Sequence, residues 1–197
     1  MIKVVVVGAR GYTGAELLPL LHNHSGFEIV AVGSGSAAGE SVTDHLEGMG
    51  GCDLVFSDIQ PDGLGAIDAD ACVLALPNGA AAPFVKALDE VRPETVIIDL
   101  GADYRFDDSW VYGQPERFAD TIRGATRIAN PGCYATGAQL ALLPLTPWIV
   151  GAPVVFGVSG YSGAGKTPSP KNDPEVLRDN LLPYKLADHI HEQEVSR

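Results

Sequence analysis

Cysteine, methionine and tryptophan are scarce in this 197-residue chain, which holds three, two and two of them. Cys52, Cys72 and Cys133 are odd in number and far apart, which excludes a disulfide framework and any zinc-ribbon spacing. Positive charge is also short: 13 Lys and Arg stand against 25 Asp and Glu, a net charge of −12. A chain of that sign is expected to avoid nucleic acid and anionic membranes. Long apolar runs are missing, since none approaches the ~18 residues of a membrane span. Val4 to Val7 is too short for the core of a secretory signal, and Gly8 follows at once. Apolar residues nevertheless reach 46%, enough for a real core. The expectation is a soluble cytoplasmic protein with no nucleic-acid partner and no membrane partner.

What is present is an alternation of strands and helices. Ile2 to Val7 is a continuous β-branched run, suited to a strand buried on both faces of a parallel sheet. Phe27–Val32, Leu54–Phe56, Ala71–Leu76, Thr95–Leu100, Thr126–Ala129 and Pro153–Ser159 read as further strands. Ala15–His22, with Leu17, Leu18, Leu20 and Leu21, and a stretch from about Ala80 to Glu90 read as helices. The alternation predicts an α/β fold, a doubly wound parallel Rossmann-like sheet, with the beginning of a second α+β catalytic domain. A composition shift near Pro147–Pro153 sets the boundary: residues 1–146 for the cofactor domain, 147–197 for the start of the second.

Gly8, Gly11 and Gly14 lie between the first strand and the first helix. Glycines there let backbone approach a pyrophosphate resting on a helix N-terminus. The spacing is not G-x-G-x-x-G, so the context carries the reading more than the pattern does. NAD sites usually place Asp or Glu after the second strand. Here the chain reads Gly33-Ser34-Gly35-Ser36, with no acid to repel a 2′-phosphate and two hydroxyls to bond one, which favours NADP. Neither Arg nor Lys stands beside the serines in sequence.

Cys133 follows Asn130-Pro131-Gly132 and precedes an apolar, helix-capable run. A thiol at a helix start faces unpaired N–H groups and the positive dipole end, which favour the attacking thiolate. Cys52 and Cys72 carry no such signal. His189 and His191 are two residues apart, so they share a direction in an extended segment and diverge in a helix. One is a candidate acid–base and the other a structural or substrate contact. No third ligand cluster accompanies them, so no metal is expected. Arg105 and Lys166 sit in glycine-rich loops, where phosphate or carboxylate recognition would put them.

These pieces, in this order, resemble the N-acetyl-gamma-glutamyl-phosphate reductases of arginine biosynthesis. The matching segments are Gly-Ala-Arg-Gly-Tyr-Thr-Gly at 8–14, Asp99-Leu-Gly-Ala-Asp-Tyr-Arg105 and Tyr112-Gly-Gln-Pro-Glu116. They continue with Asn130-Pro-Gly-Cys-Tyr-Ala-Thr136, Ser159-Gly-Tyr-Ser-Gly-Ala-Gly-Lys166 and His189-Ile-His-Glu-Gln-Glu194. The cysteine segment is the specific one; the N-terminal turn is not. The resemblance implies NADPH-dependent reduction of an acyl phosphate, N-acetylglutamyl 5-phosphate, to the semialdehyde through a Cys133 thioester. It implies His191, ahead of His189, as acid–base, with Glu194 as a neighbour. It adds Arg10, Tyr12, Thr13, Pro77, Ser162, Gly163 and Gly165 to the cofactor contacts, and Arg105, Asn130, Lys166, Tyr184 and Glu194 to those of the substrate. It also implies a homo-oligomer if the catalytic domain is whole. Two departures stand out. Relatives carry Arg where Gly35 stands, which weakens the NADP expectation, and the family extends beyond Arg197, which suggests a truncated chain. The alternatives are a semialdehyde dehydrogenase for another acyl phosphate and a catalytically silent nucleotide-binding fragment.

Overall fold

A computed structural model describes residues 1–183, 185 and 188–196. Two compact units result, Met1–Asn130 and Pro131–Arg197.

The first unit is built on β1 (Ile2–Val7), β2 (Phe27–Gly33), β3 (Phe56–Ser57), β4 (Ala71–Leu74), β5 (Val96–Asp99), β6 (Val111–Tyr112) and β7 (Arg127–Ala129). They form one sheet in the order β3-β2-β1-β4-β5-β7-β6, with every neighbouring pair parallel. Side chains alternate across a strand, so β1 feeds two cores. Val5 and Val7 pack with Leu74, Leu88 and Ile97 on one face. Val4 and Val6 pack with Leu18, Leu21, Val32 and Phe56 on the other. Helix α1 (Tyr12–His22) therefore covers one face and α3 (Ala82–Val91) the opposite one, the doubly wound arrangement expected. Within α1, Leu18 and Leu21 are buried, while Leu20 points to solvent. Strand order reverses between β1 and β4, and the carboxyl ends of those two strands frame the crevice where such sheets bind ligands.

Three elements escape a reading by pattern. A four-residue α2 (Pro61–Leu64) follows β3, and β6 and α4 (Pro115–Ile122) occupy what reads as loop. Gln114 caps the start of α4, and its side chain is fully buried with no hydrogen-bond partner for either amide atom among the described residues. An unsatisfied buried amide costs about 1–3 kcal/mol. Gln114→Leu is accordingly expected to raise stability by about that amount, read as a higher urea midpoint. An unchanged or lower midpoint would mean that solvent satisfies the amide.

The second unit holds α5 (Cys133–Leu142), α6 (Pro174–Leu177) and α7 (Ile190–Val195), with 3-10 turns at Leu143–Trp148 and Tyr161–Ala164. Residues 153–159 form no strand, contrary to expectation. A strand exists through lateral hydrogen bonds, and no described residue pairs with this stretch, which leaves Val154 and Phe156 exposed. The division at Asn130/Pro131 also falls earlier than the composition shift at 147. The reason is that α5 packs on α7, which ties the cysteine segment to the C-terminal residues. None of the described helices is long and apolar enough to cross a membrane.

Candidate active site

In the first unit the glycine turn closes tightly. Gly8 has a φ of +82°, and a Cβ there would lie 2.3 Å from the Ala75 carbonyl oxygen, just past β4. The Gly8 and Ala9 amides both donate to the Gly33 carbonyl at 2.9 Å, and the Gly11 amide donates to the Gly8 carbonyl at 3.1 Å. A Cβ on Gly14 would meet the Ala9 carbonyl oxygen at 2.6 Å, so this glycine lets the helix pack on the turn. Tyr12 and Thr13 are the first two residues of α1, where amides find no acceptor within the helix. The result is a tightly closed backbone turn at the sheet's switch point, leading straight into the start of α1.

The loop after β2 departs from the sequence reading in one respect. The Arg10 guanidinium donates from Nη1 to Ser36 Oγ at 3.1 Å, and Ser34 Oγ lies 3.5 Å from Ser36 Oγ. The cation missing beside the serines in sequence is supplied by the glycine turn, from 26 residues away. Asp58 also approaches: a Cβ on Gly35 would come within 3.0 Å of Asp58 Oδ1.

Pro77 begins the exposed loop after β4. Asp103 fastens that loop, its Oδ1 accepting from the Gly79 amide at 2.6 Å and its Oδ2 from the Ala81 amide at 3.2 Å. Asn78 Oδ1 accepts from the Ala102 amide at 3.1 Å. Asp99 ends β5 and is buried; burial first, then the nearby Asp103 carboxylate, push its carboxyl above the ordinary range, against the pull of the Gly101 amide. Arg105, expected at the substrate, is buried. It donates from Nε to the Asn130 carbonyl at 2.9 Å and from Nη2 to the Leu100 carbonyl at 3.3 Å. Those bonds fasten the exit from β7. Asn130 is the last residue of that exit, its amide donating to the Asp99 carbonyl at 2.8 Å.

In the second unit, Cys133 is exposed and opens α5, with Gly132 as the N-cap. Glu194 on α7 is fully buried. Its Oε2 accepts from the Gly132 amide at 2.9 Å, and its Oε1 lies 3.9 Å from His191 Nε2. Tyr134, next in sequence after Cys133, stacks on the His191 ring at 6.0 Å between centroids. The residues on both sides of the cysteine are thus tied to α7. His189 serves as the N-cap of α7, its Nδ1 accepting from the His191 amide at 3.1 Å, and the two rings meet edge-on at 4.5 Å. The histidines converge because one is extended and the other helical. Cys72, by contrast, is buried, which pushes its thiol up to about 12.

Ser162 and Gly163 lie in the exposed 3-10 turn at Tyr161–Ala164, and Gly165 follows it with a φ of +82°. Asn172 Nδ2 donates to the carbonyls of Gly165 and Thr167, both at 2.7 Å, and so brackets the exposed Lys166. Tyr184 lies outside the described residues. Among the described residues no group of three or more His, Cys, Asp or Glu is set to hold a metal ion. Pattern reading missed Asp103 and Tyr134 as site residues, although both lie inside segments singled out there.

The sequence and the fold are similar to those of known proteins. Against Xanthomonas campestris pv. campestris (strain B100) N-acetyl-gamma-glutamyl-phosphate reductase the chain is 53% identical over 97% of its own length and 60% of the relative's. The enzyme of that name from Stenotrophomonas maltophilia (strain R551-3) is 52% identical with the same coverage, and that from Xylella fastidiosa (strain 9a5c) is 54% identical. The chain spans about 60% of the length of these curated relatives. Aspartate semialdehyde dehydrogenase II from Vibrio cholerae superposes with a TM-score of 0.64 over 84% of this chain and 48% of that one, at 18% identity. The Candida albicans aspartate semialdehyde dehydrogenase gives 0.57 over 75% and 47%, at 22% identity. At such identities the likeness is one of fold. The family described as semialdehyde dehydrogenase, dimerisation domain, matches residues 133–197. The family described as semialdehyde dehydrogenase, NAD binding domain, matches residues 3–125, well over half of the sequence, and the chain belongs to the semialdehyde dehydrogenase family.

Proposed function

We propose that the protein reduces N-acetylglutamyl 5-phosphate to N-acetylglutamate 5-semialdehyde, releasing phosphate, with NADPH as reductant. The observation that carries this reading is the tie of both neighbours of Cys133 to the histidine helix, through Gly132–Glu194 and Tyr134–His191. Relatives at 52–54% identity that bear the reductase name supply the substrate.

Cys133 Sγ attacks the carbonyl carbon of the acyl phosphate; the C–S bond forms, the C–O bond breaks, and phosphate leaves with the electron pair. A thiol suits this step, and the resulting thioester accepts hydride. Bound NADPH supplies that hydride. His191 takes the Sγ proton on its imidazole and returns it to the oxygen of the thiohemiacetal. Glu194 Oε1, facing His191 Nε2 at 3.9 Å, stabilises the imidazolium. The thiohemiacetal oxygen then gives its proton back to His191, the C–S bond breaks with its electron pair on Sγ, and the aldehyde leaves as Cys133 regains the proton. His191 is assigned the proton transfer because the Nδ1 lone pair of His189 already caps α7. Asn130 and Lys166 are assigned to the substrate, while Arg105 holds the Asn130 carbonyl at the exit from β7.

For NADP, the close approach at Gly8 and Gly14 suits a pyrophosphate, and the Arg10–Ser36 pair suits a 2′-phosphate. Gly11, Tyr12, Thr13, Ser34, Pro77, Ser162, Gly163 and Gly165 complete the proposed contacts. Arg10→Ala is expected to raise the Kd for NADPH about tenfold or more, the size of one charge-assisted bond, and to leave that for NADH nearly unchanged. Equal losses for both would remove the 2′-phosphate role from Arg10. The proposed setting is the cytoplasm and the proposed assembly a homo-oligomer, the latter supported by the match to a dimerisation domain.

The deciding assay is phosphate- and NADP-dependent oxidation of N-acetylglutamate 5-semialdehyde by this chain, with aspartate semialdehyde in parallel. Preference for the acetylated substrate supports the reading. Preference for aspartate semialdehyde moves the enzyme to another acyl phosphate, and turnover of neither defeats the proposal.

A further inference from the structure

One buried polar side chain beside this site has no part in the reaction scheme. Gln139 is 3% exposed and lies on the face of α5 that also buries Ala135 and Ala138. Its Nε2 donates to the backbone carbonyl of Glu194 at 2.8 Å. The side chain of that same glutamate reaches back to the Gly132 amide at 2.9 Å. One residue of α7 is therefore gripped twice by α5, once before the helix begins and once in its second turn. Two grips so spaced fix both the rotation and the register of α7. The grip is needed because α7 has six residues, far too few to hold a helix unaided.

We infer that Gln139 is a positioning residue, holding Glu194 and His191 at the Cys133 turn through the Glu194 carbonyl. The inference rests on the roles proposed for Cys133 and His191. Gln139 touches neither substrate nor reacting atoms in that scheme, and it acts through the donor on its amide.

Two variants separate donor from bulk. Gln139→Met keeps the volume and removes the donor. Gln139→Glu keeps the shape, and can donate to the Glu194 carbonyl only while its carboxyl is protonated. The first readout is alkylation of the Cys133 peptide by iodoacetamide across pH, followed by mass spectrometry, which needs no turnover. The second is kcat and KM for the semialdehyde. Folding is checked by circular dichroism and thermal melting.

For Gln139→Met the expected result is a displaced alkylation profile and a kcat about 10²-fold lower, the scale of a small misplacement of reacting groups, with KM changed far less. Gln139→Glu is expected to gain an additional ionisation in its alkylation profile, close to wild type at acid pH and diverging as pH rises. Should Gln139→Met fail to fold, the Gln139→Glu profile decides alone. Wild-type profiles in the folded variants would overturn the inference and reduce Gln139 to packing. An absence of reductase turnover in the unmodified chain would defeat the proposed reaction, while the alkylation profiles would still judge Gln139.

Discussion

Cys133→Ala is expected to remove all measurable oxidation of the semialdehyde, a fall of at least about 10³-fold, because no other group can form the acyl intermediate. Position and burial set the other two cysteines apart from Cys133. Cys72 is buried in β4, and its thiol is pushed up to about 12, so it carries almost no thiolate near neutral pH. Cys52 sits half-buried, its amide donating to the Met49 carbonyl in a turn packed against the core beneath α1. Cys133 alone is exposed and stands at the start of a ten-residue helix, with its preceding amide bound to a buried carboxylate. Cys133→Ser sharpens the test. It preserves size and hydrogen bonding but offers a far weaker nucleophile at this pH, so it should be nearly as inactive as alanine. Both variants should bind NADPH as the unmodified chain does. Retained turnover in Cys133→Ala would end the thioester mechanism outright, and lost NADPH binding would show that the substitution had damaged more than the nucleophile.

Sequence alone reveals the parts of this molecule whose signals are local. The β-branched run at Ile2–Val7 is a buried central strand because such residues fill both faces of a parallel sheet, and the strand–turn–helix that follows needs only neighbours in sequence. The cysteine's place at a helix start was legible for the same reason. The missing pieces join distant residues. Arg10 meets Ser36 across 26 positions, and Glu194 meets Gly132 across 62, and no periodicity encodes either bond. Arg105 read as a cation for phosphate or carboxylate because it lies in a glycine-rich loop, and folding buries it against the Asn130 and Leu100 carbonyls. The stretch at 153–159 errs the other way. Its β-branched content writes a strand, but composition cannot supply the neighbour that a strand requires. Strand β6 and helix α4 were hidden by a Gly-Gln-Pro sequence that looks like punctuation and serves as a helix start, with Pro115 at the first helical position.

Gly8→Ala is expected to be the most damaging small substitution in the first unit. Alanine would have to hold a φ of +82°, a conformation that costs an L-residue about 1–2 kcal/mol. It would also place a methyl 2.3 Å from the Ala75 oxygen and 2.7 Å from the Ala75 carbonyl carbon. Both obstacles are backbone, so no side chain can swing aside. Relief requires moving β1 away from the end of β4, and those strands are paired in the centre of the sheet with Val7 and Leu74 buried on them. Overpacking of that kind adds about 1–3 kcal/mol or more. Against a total stability of about 5–15 kcal/mol, the sum is a large fraction, enough to unfold a marginal protein. Gly39→Ala is the matching control. Its φ is +88°, and a Cβ there meets nothing within 4 Å, so it bears the conformational penalty without the collision. Urea unfolding of the two variants isolates the contact: Gly8→Ala should lie about 1–3 kcal/mol below Gly39→Ala. Equal midpoints would mean that the turn can open without disturbing the sheet, and the close approach at Gly8 would then have no hold on the shape of the proposed cofactor cradle.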